Sequence, residues 1–325
     1  MCTVFTYKNN DSYFARNMDI EYHFNEEVVI TPRNYNLTFR KHDSLKTHYA
    51  IIGMATVINN YPLYADAFNE YGLAMAGLNF PNQAKYKDIT EATKSNLITP
   101  YEFIPYILGL AKTVDEAKKL LLDIDIINIK FMDNLDLAPL HWIISDGTQS
   151  IVVETNENYV KVYDNPFNVL TNNPPFPFHK ENIRQYLNLT NAYPENRFSS
   201  NFKLTPFSLG SGMFGINGDY SSPSRFIKAA FLKEHLPKED NEDIMSIDLF
   251  NVLDAVKMIN GAITTKEGKF DTTIYSAIMN LTKGYYQYRT YFSNTINRIL
   301  LTEERKVGKD LLVFPINNSL SIKEF

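Results

Sequence analysis

Apolar and polar positions alternate from the start of the chain, and a turn-forming Asn9-Asn10-Asp11 separates residues 2–7 from 12–17, so the period of two and the turn chemistry predict a β-hairpin. Short strands follow at Val28–Thr31, Leu37–Arg40, Tyr49–Val57 and Leu73–Gly77, broken by Pro32, Asn59-Asn60, Pro62 and Gly72. The period then changes. Pro100–Ala111 reads as a helix capped by Thr99, and Thr113-Val114-Asp115-Glu116 as a capping box opening a second helix with Ala117, Leu120 and Leu121 on its apolar side. Residues 124–139 show no clear period and read as a long loop with apolar tips. Strands return at Leu140–Ser145, Ser150–Glu154 and Tyr159–Tyr163, with turns at Asp146-Gly147 and Asn156–Asn158, and Val169–Thr171 leads into the rigid Asn172-Asn173-Pro174-Pro175. Helical stretches are expected at Phe178–Leu187, after Ser222-Pro223 (Ser222 as cap, with Phe226, Ala230 and Phe231 inward) and at Ser246–Asn260, closed by Gly261. Strands at Thr272–Met279, Gly284–Thr290 and Ile296–Leu300 end the pattern, with Lys283-Gly284 as a turn. Alternating blocks of strands and helices predict an α+β fold with helices outside two antiparallel sheets.

Composition narrows the function classes. The 325 residues contain no long Gly, Ser or Pro-rich linker and no fixed-period repeat, so residues 1–325 read as one domain. No stretch reaches the ~18 apolar residues of a membrane span, and Lys8, Asp11 and Arg16 interrupt any leader-like pattern, so the reading is a cytoplasmic protein with no membrane partner. A net charge of −5 with scattered Lys and Arg offers no nucleic-acid footprint. The six histidines lack metal-binding spacing, and one cysteine excludes disulfides and thiolate-rich metal sites; no metal and no cofactor are expected. Gly210-Ser211-Gly212-Met213-Phe214-Gly215 spells a dinucleotide fingerprint, but it opens no helix and no acidic residue follows in a βαβ unit, so a glycine loop is the better reading. His141-Trp142, inside a strand, reads as packed core.

The one cysteine is Cys2. If an aminopeptidase removes Met1, Cys2 carries both a thiol and a free α-amine, a nucleophile and a base on one residue. A thiol attacks as thiolate, which a nearby cation favours, and an α-amine with a pKa of about 8 can exchange protons near neutrality. Arg16, on the paired strand, can sit beside the sulfur, and Asp19 can orient the amine. Spacing alone also admits an ordinary buried cysteine and a plain ion pair at a strand end.

Met1-Cys2-Thr3, Arg16-Asn17-Met18-Asp19, the run Asn25 to Tyr35, Gly77-Leu78-Asn79-Phe80-Pro81, Leu170-Thr171-Asn172-Asn173-Pro174 and Ser224-Arg225-Phe226 together resemble the choloylglycine hydrolase family, the conjugated bile salt hydrolases and penicillin V acylases. The resemblance runs from end to end. It implies an N-terminal-nucleophile (Ntn) hydrolase fold, a four-layer αββα sandwich, with Cys2 as nucleophile and its α-amine as base. It implies further that Arg16 holds the thiolate, Asp19 orients the amine and Arg225 balances charge, with an oxyanion hole from the Asn172 side chain and the Asn79 backbone N–H. The implied substrate is a bile acid amide-linked to glycine or taurine, cleaved through a thioester, and the implied assembly is a homotetramer. Met18, Ile20, Tyr22, Phe24 and Ile58 are candidate pocket walls. Asn79 favours the bile salt branch, because penicillin V acylases often carry tyrosine there; a penicillin V acylase or other N-acyl amide hydrolase is the near alternative, a non-catalytic binder of apolar anions the far one. Ile216-Asn217-Gly218 and Ala15 depart from the family pattern without touching the implied chemistry.

Overall fold

The computed structural model describes residues 1–156 and 159–325. The chain opens with the hairpin β1 (Cys2–Lys8) and β2 (Ser12–Ile20), then β3 (Glu27–Thr31), β4 (Ile51–Ile58), β5 (Tyr61–Asn69) and β6 (Ala74–Asn79). Next come β7 (Asn96–Ile98), α1 (Phe103–Leu110), α2 (Val114–Leu121) and β8 (Ile124–Ile126), followed by β9 (Leu140–Ser145), β10 (Ser150–Asn156), β11 (Tyr159–Asp164) and β12 (Val169–Leu170). The last part holds α3 (Phe176–Asn182), α4 (Ser222–Glu234), α5 (Glu242–Asp254), β13 (Thr272–Asn280), β14 (Tyr285–Thr290), β15 (Asn297–Leu300), α6 (Glu303–Lys306) and β16 (Leu312–Pro315).

Two large antiparallel sheets result, one ordered β12-β1-β2-β13-β14-β15 and one ordered β11-β10-β9-β6-β5-β4-β3-β16, with β7 and β8 forming a small parallel pair. The period of two sorts each strand between two cores. Val28, Ile30, Ile52, Met54, Ala74, Ala76, Ile143 and Val152 belong to the core that also holds Cys2, Val4, Phe14 and Ala277. Their neighbours Val29, Ile51, Ala55, Met75, Trp142, Ile144, Ile151 and Val153 pack instead against Phe103, Ile104 and Ile107 of α1 and Val114 and Ala117 of α2. On the opposite side, α4 and α5 lie on β1, β2, β12 and β13. Both faces of each sheet are thereby covered, giving the four-layer αββα sandwich of the Ntn hydrolases.

The hairpin, the strands from β9 to β10 and the tail strands β13–β15 lie where the alternation places them. The Asp146-Gly147 turn also holds: Gly147 has φ +81°, and a Cβ there would fall 2.4 Å from the Ser12 side chain, so only glycine fits. Residues 157 and 158 of the predicted Asn156–Asn158 turn lie outside the described residues. His141 and Trp142 are fully buried.

Other boundaries move. Leu37–Arg40 forms no strand; Leu37 makes an isolated bridge to Leu45. Pro62 does not break a strand but lies second in β5, opposite Val57 beside the tight turn, where its missing N–H leaves the rest of the ladder intact. Part of the expected 124–139 loop is β8. Thr99 does not cap α1, which starts at Phe103 after Glu102; the Thr99 N–H instead donates to the Glu102 carboxylate. The Thr113 hydroxyl accepts from Glu116 N–H, as a cap should. Ser221, not Ser222, precedes α4. The helix starting after Pro175 opens at Phe176, before the expected Phe178. Helix α5 starts at Glu242 because the Asn241 side chain caps the N–H groups of Asp243 and Ile244, and it ends at Asp254, well before Gly261.

Candidate active site

Cys2 heads β1, which lies between β12 and β2. The register pairs Cys2 with Met18 and Val4 with Arg16, so these four side chains share one face and Arg16 sits diagonally across from the thiol. Arg16 Nη2 is 3.4 Å from Cys2 Sγ and 3.2 Å from Met18 Sδ, and the two sulfurs are 3.6 Å apart. This face looks between the two sheets, where Cys2 is 3% and Arg16 1% exposed.

Arg16 is held from the opposite sheet. Nη2 donates to Gly77 O of β6 at 2.7 Å, and Nη1 donates to Ala65 O and lies 3.1 Å from Asp66 Oδ2. The pairing of β4 with β5 shifts between Met54 and Ala55, which face Asp66 and Tyr64, so Ala65 is the extra residue of a bulge whose carbonyl turns out of the ladder toward the guanidinium. Gly53, opposite Ala67, permits this approach: a Cβ there would lie 2.0 Å from Asp66 O. Burial works against the Arg16 cation, but Tyr275, Cys2 and Asp66 together outweigh it and hold its pKa above the ordinary value.

The other face of the hairpin turns toward α4. Here Arg225 Nη1 donates to Cys2 O at 2.5 Å and to Thr3 Oγ1 at 2.6 Å, and Nη2 donates to Asn172 Oδ1 at 2.7 Å. Its Nη1 is 3.9 Å from Asp19 Oδ2. A cation in the first turn of a helix opposes the helix dipole; Arg225 is turned into this cluster, and burial lowers its pKa while Asp19 and Cys2 act to raise it. Asp19, paired with Thr273 of β13, accepts from the Thr273 hydroxyl at 2.5 Å through Oδ1, whereas Oδ2 is buried with no hydrogen-bond partner among the described residues. Burial pushes the Asp19 carboxyl up, against Arg225 and the terminal ammonium, which pull it down.

Asn172 joins the cluster from the end of β12. Its Oδ1 accepts from Cys2 N–H at 2.9 Å, and its Nδ2 donates to Asn79 O at 2.7 Å. Ser222 Oγ accepts from Asn172 N–H at 2.8 Å, and His179 Nε2 meets Asn172 O at 3.1 Å. Burial lowers His179 to a pKa of about 4, so at neutral pH it is an uncharged donor. Asn79 itself is exposed at the end of β6. The Met1 ammonium donates to Asp19 O and lies 3.1 Å from Asp271 Oδ2, and with Met1 in place the Cys2 nitrogen is a peptide N–H.

All six residues named for chemistry, Cys2, Arg16, Asp19, Asn79, Asn172 and Arg225, are thus joined by direct contacts. The five wall candidates scatter more. Met18 touches the sulfur; Ile20 and Phe24 are partly buried against the core between the sheets; Tyr22 is 53% exposed; Ile58 ends β4 opposite Tyr61. Sequence reasoning missed Asp66, Tyr275, Tyr286, Thr3, Thr273, Ser222 and Asp271. Only Asp66 left a signal, a charge inside the apolar run Tyr61–Phe68.

A four-layer sandwich with a cysteine at the head of a central strand, its sulfur against an arginine, defines the cysteine type of Ntn amide hydrolase. Residues 2–314 match the family described as linear amide C–N hydrolases, choloylglycine hydrolase family, and the chain belongs to that family. It is 43% identical over 318 residues to the bile salt hydrolase/transferase of Lactiplantibacillus plantarum, covering 98% of both chains, and 39% identical over 327 residues to that of Clostridium perfringens, covering 99% of both. A mutant conjugated bile acid hydrolase from Clostridium perfringens superposes with a TM-score of 0.92 at 37% identity, over 100% of this chain and 99% of the other. Penicillin V acylase from Agrobacterium tumefaciens shares the fold, with a TM-score of 0.77 at 18% identity over 97% of this chain and 91% of that one.

Proposed function

We propose that this chain, acting as a single domain, hydrolyses the amide bond of glycine- or taurine-conjugated bile acids, with Cys2 as nucleophile once Met1 is removed. The observation that carries the reading is Cys2 Sγ, buried at the head of β1 and 3.4 Å from Arg16 Nη2. The freed α-amine takes the thiol proton, and Asp19, whose Oδ2 is buried with no donor among the described residues, accepts a hydrogen bond from the resulting ammonium. The thiolate attacks the amide carbon. Negative charge gathers on the carbonyl oxygen, which the second N–H of the Asn172 amide and the Asn79 backbone N–H stabilise. Collapse breaks the C–N bond as the ammonium returns its proton to the leaving amine, and a thioester remains. Water, deprotonated by the same amine, attacks the thioester carbon and releases the bile acid and the thiol. Arg225 binds the carbonyl of Cys2 and Asn172 Oδ1, keeping the new terminus aligned. Met18, against the sulfur, and Ile20, Tyr22, Phe24 and Ile58 are read as walls for the apolar acyl group.

The full-length relatives named for bile salts support the substrate. Amine release from glycocholate, taurocholate and penicillin V, measured side by side on protein of verified N-terminal mass, tests it. Both bile salts are expected to be cleaved much faster than penicillin V. A strong preference for penicillin V would move the substrate to the acylase branch, and no cleavage by Met1-free protein would remove the hydrolase mechanism.

We also read the enzyme as a cytoplasmic homotetramer. The lone thiol suits a reducing compartment. Phe198, Phe207, Leu209 and Phe214, strung along one irregular segment, are largely exposed, and grouped apolar exposure of this kind favours assembly. Light scattering is expected to give four times the chain mass, falling on Phe207→Ser with Phe214→Ser; a monomer in the parent protein rules the assembly out.

A further inference from the structure

Arg16, 3.4 Å from Cys2 Sγ, is itself braced by a buried acidic cluster on the side away from the sulfur. Asp66 is fully buried on β5, and three groups converge on its carboxylate: Arg16 Nη1 at 3.1 Å, the Tyr275 hydroxyl of β13 at 2.5 Å on Oδ2, and the Tyr286 hydroxyl of β14 at 2.7 Å on Oδ1. Both oxygens accept, and both tyrosines are donors. Burial and the adjacent Asp66 keep the two phenols protonated, with pKa values well above the ordinary range. The whole cluster spans the gap between the two sheets, with the carboxylate from one, the tyrosines and arginine from the other, and Cys2 Sγ at its far end.

A cluster so arranged does more than fill space. A fully buried arginine whose only anion was the Cys2 thiolate would hold that thiolate too firmly, since a thiolate loses nucleophilicity as its pKa falls. Asp66, in contact with Nη1, shares the guanidinium charge with the thiolate. The tyrosines in turn take up part of the carboxylate charge, and the amount they withdraw sets how much of the Arg16 field reaches the sulfur.

We propose that Asp66, with Tyr275 and Tyr286, is a positioning and charge-tuning group for the nucleophile: it fixes the Arg16 guanidinium against Cys2 Sγ and sets the pH at which the thiol ionises. The inference rests on Cys2 being the nucleophile. The other charged or titratable groups facing Cys2 are Arg225 from α4, Asp19 from β2, Asp271 before β13 and the terminal amine, none of which contacts Asp66.

The opposed charges give opposed signs. Asp66→Asn removes the anion, so the midpoint of the pH profile for Cys2 alkylation by iodoacetamide is expected to fall by about one unit. Tyr275→Phe and Tyr286→Phe each remove a donor from the carboxylate, strengthen its opposition to Arg16, and raise the midpoint by a smaller amount. In all three variants kcat for amide hydrolysis falls while KM stays near the parent value, because the group reaches the substrate only through the sulfur. A merely structural role lowers the melting temperature and leaves the midpoints in place, so unmoved midpoints, or shifts of one sign in all three, overturn the proposal. If Asp66→Asn does not fold, the two tyrosine variants carry the test, because each keeps the buried ion pair. Alkylation of Cys2 that leaves hydrolysis intact in the parent enzyme is a separate result: it removes the nucleophile assignment and this inference with it.

Discussion

Cys2→Ala is expected to abolish amide hydrolysis, a loss on the order of a millionfold in kcat, comparable to deleting the nucleophile of a protease triad. The thiol is the atom that forms the thioester, and no other cysteine exists in the chain to replace it. The fold should survive the change. Arg16 Nη2 keeps Gly77 O and Met18 Sδ as partners, and Nη1 keeps Ala65 O and Asp66, so no buried cation is stranded. Deleting one buried sulfur from a small side chain should lower stability by about 1 kcal/mol. The measurement is amine release from glycocholate beside a thermal melt: activity at background with a nearly unchanged melt is the expected pair, and substantial residual hydrolysis would falsify the nucleophile assignment.

Asn172→Ala should produce the second largest effect, a fall in kcat of about 10²–10³ with little change in KM, because its amide is assigned to the oxyanion, which exists only in the transition state. The same change also damages the site. Arg225 Nη2 and Cys2 N–H each lose the Oδ1 acceptor, and Asn79 O loses its donor. Groups left unpaired in a buried site destabilise by about 1–3 kcal/mol each, which sets the expected drop in the melt. Asn172→Asp separates the two effects. It keeps an acceptor for Arg225 and Cys2 but has no amide N–H and turns its second oxygen toward Asn79 O, so stability should return in part while kcat does not. Recovery of kcat in Asn172→Asp would show that the side chain acts through Arg225 alone.

How much of this could be read along the chain depends on how local each contact is. The β1–β2 hairpin needs only alternation and a turn, both written within nineteen residues, so the diagonal approach of Arg16 to Cys2 followed from the register. The helices α1, α2 and α4 were also legible, through caps and apolar stripes, though their first residues shifted by up to three positions. Strand β5 was not. Pro62 looked like a breaker and Asp66 was assigned no role, because the partner that makes each acceptable, the β4 turn in one case and Arg16 in the other, is invisible in a local window. The start of α5, expected at Ser246, was misplaced for a similar reason: the cap that decides the boundary is the Asn241 side chain, four positions before Met245, the first buried residue of the helix. Asn172 and Arg225 were located only through family resemblance, as no periodicity links them to the N-terminus.

The sequence by itself determined the hairpin, the lone thiol at its head, the arginine two residues out of register with it, and the two-faced alternation of strands such as β1 and β2. These depend on backbone geometry over a few residues, which side-chain pattern dictates. Only the tertiary structure decided what surrounds the thiol. Asp66 meets Arg16 from 50 positions away and Tyr275 from 209, and Arg225 reaches Cys2 O from 223. Such contacts arise where two sheets and a helix close on one another, and their placement follows from how those layers pack, with a bulge at Ala65 turning one carbonyl inward, rather than from any period along the chain.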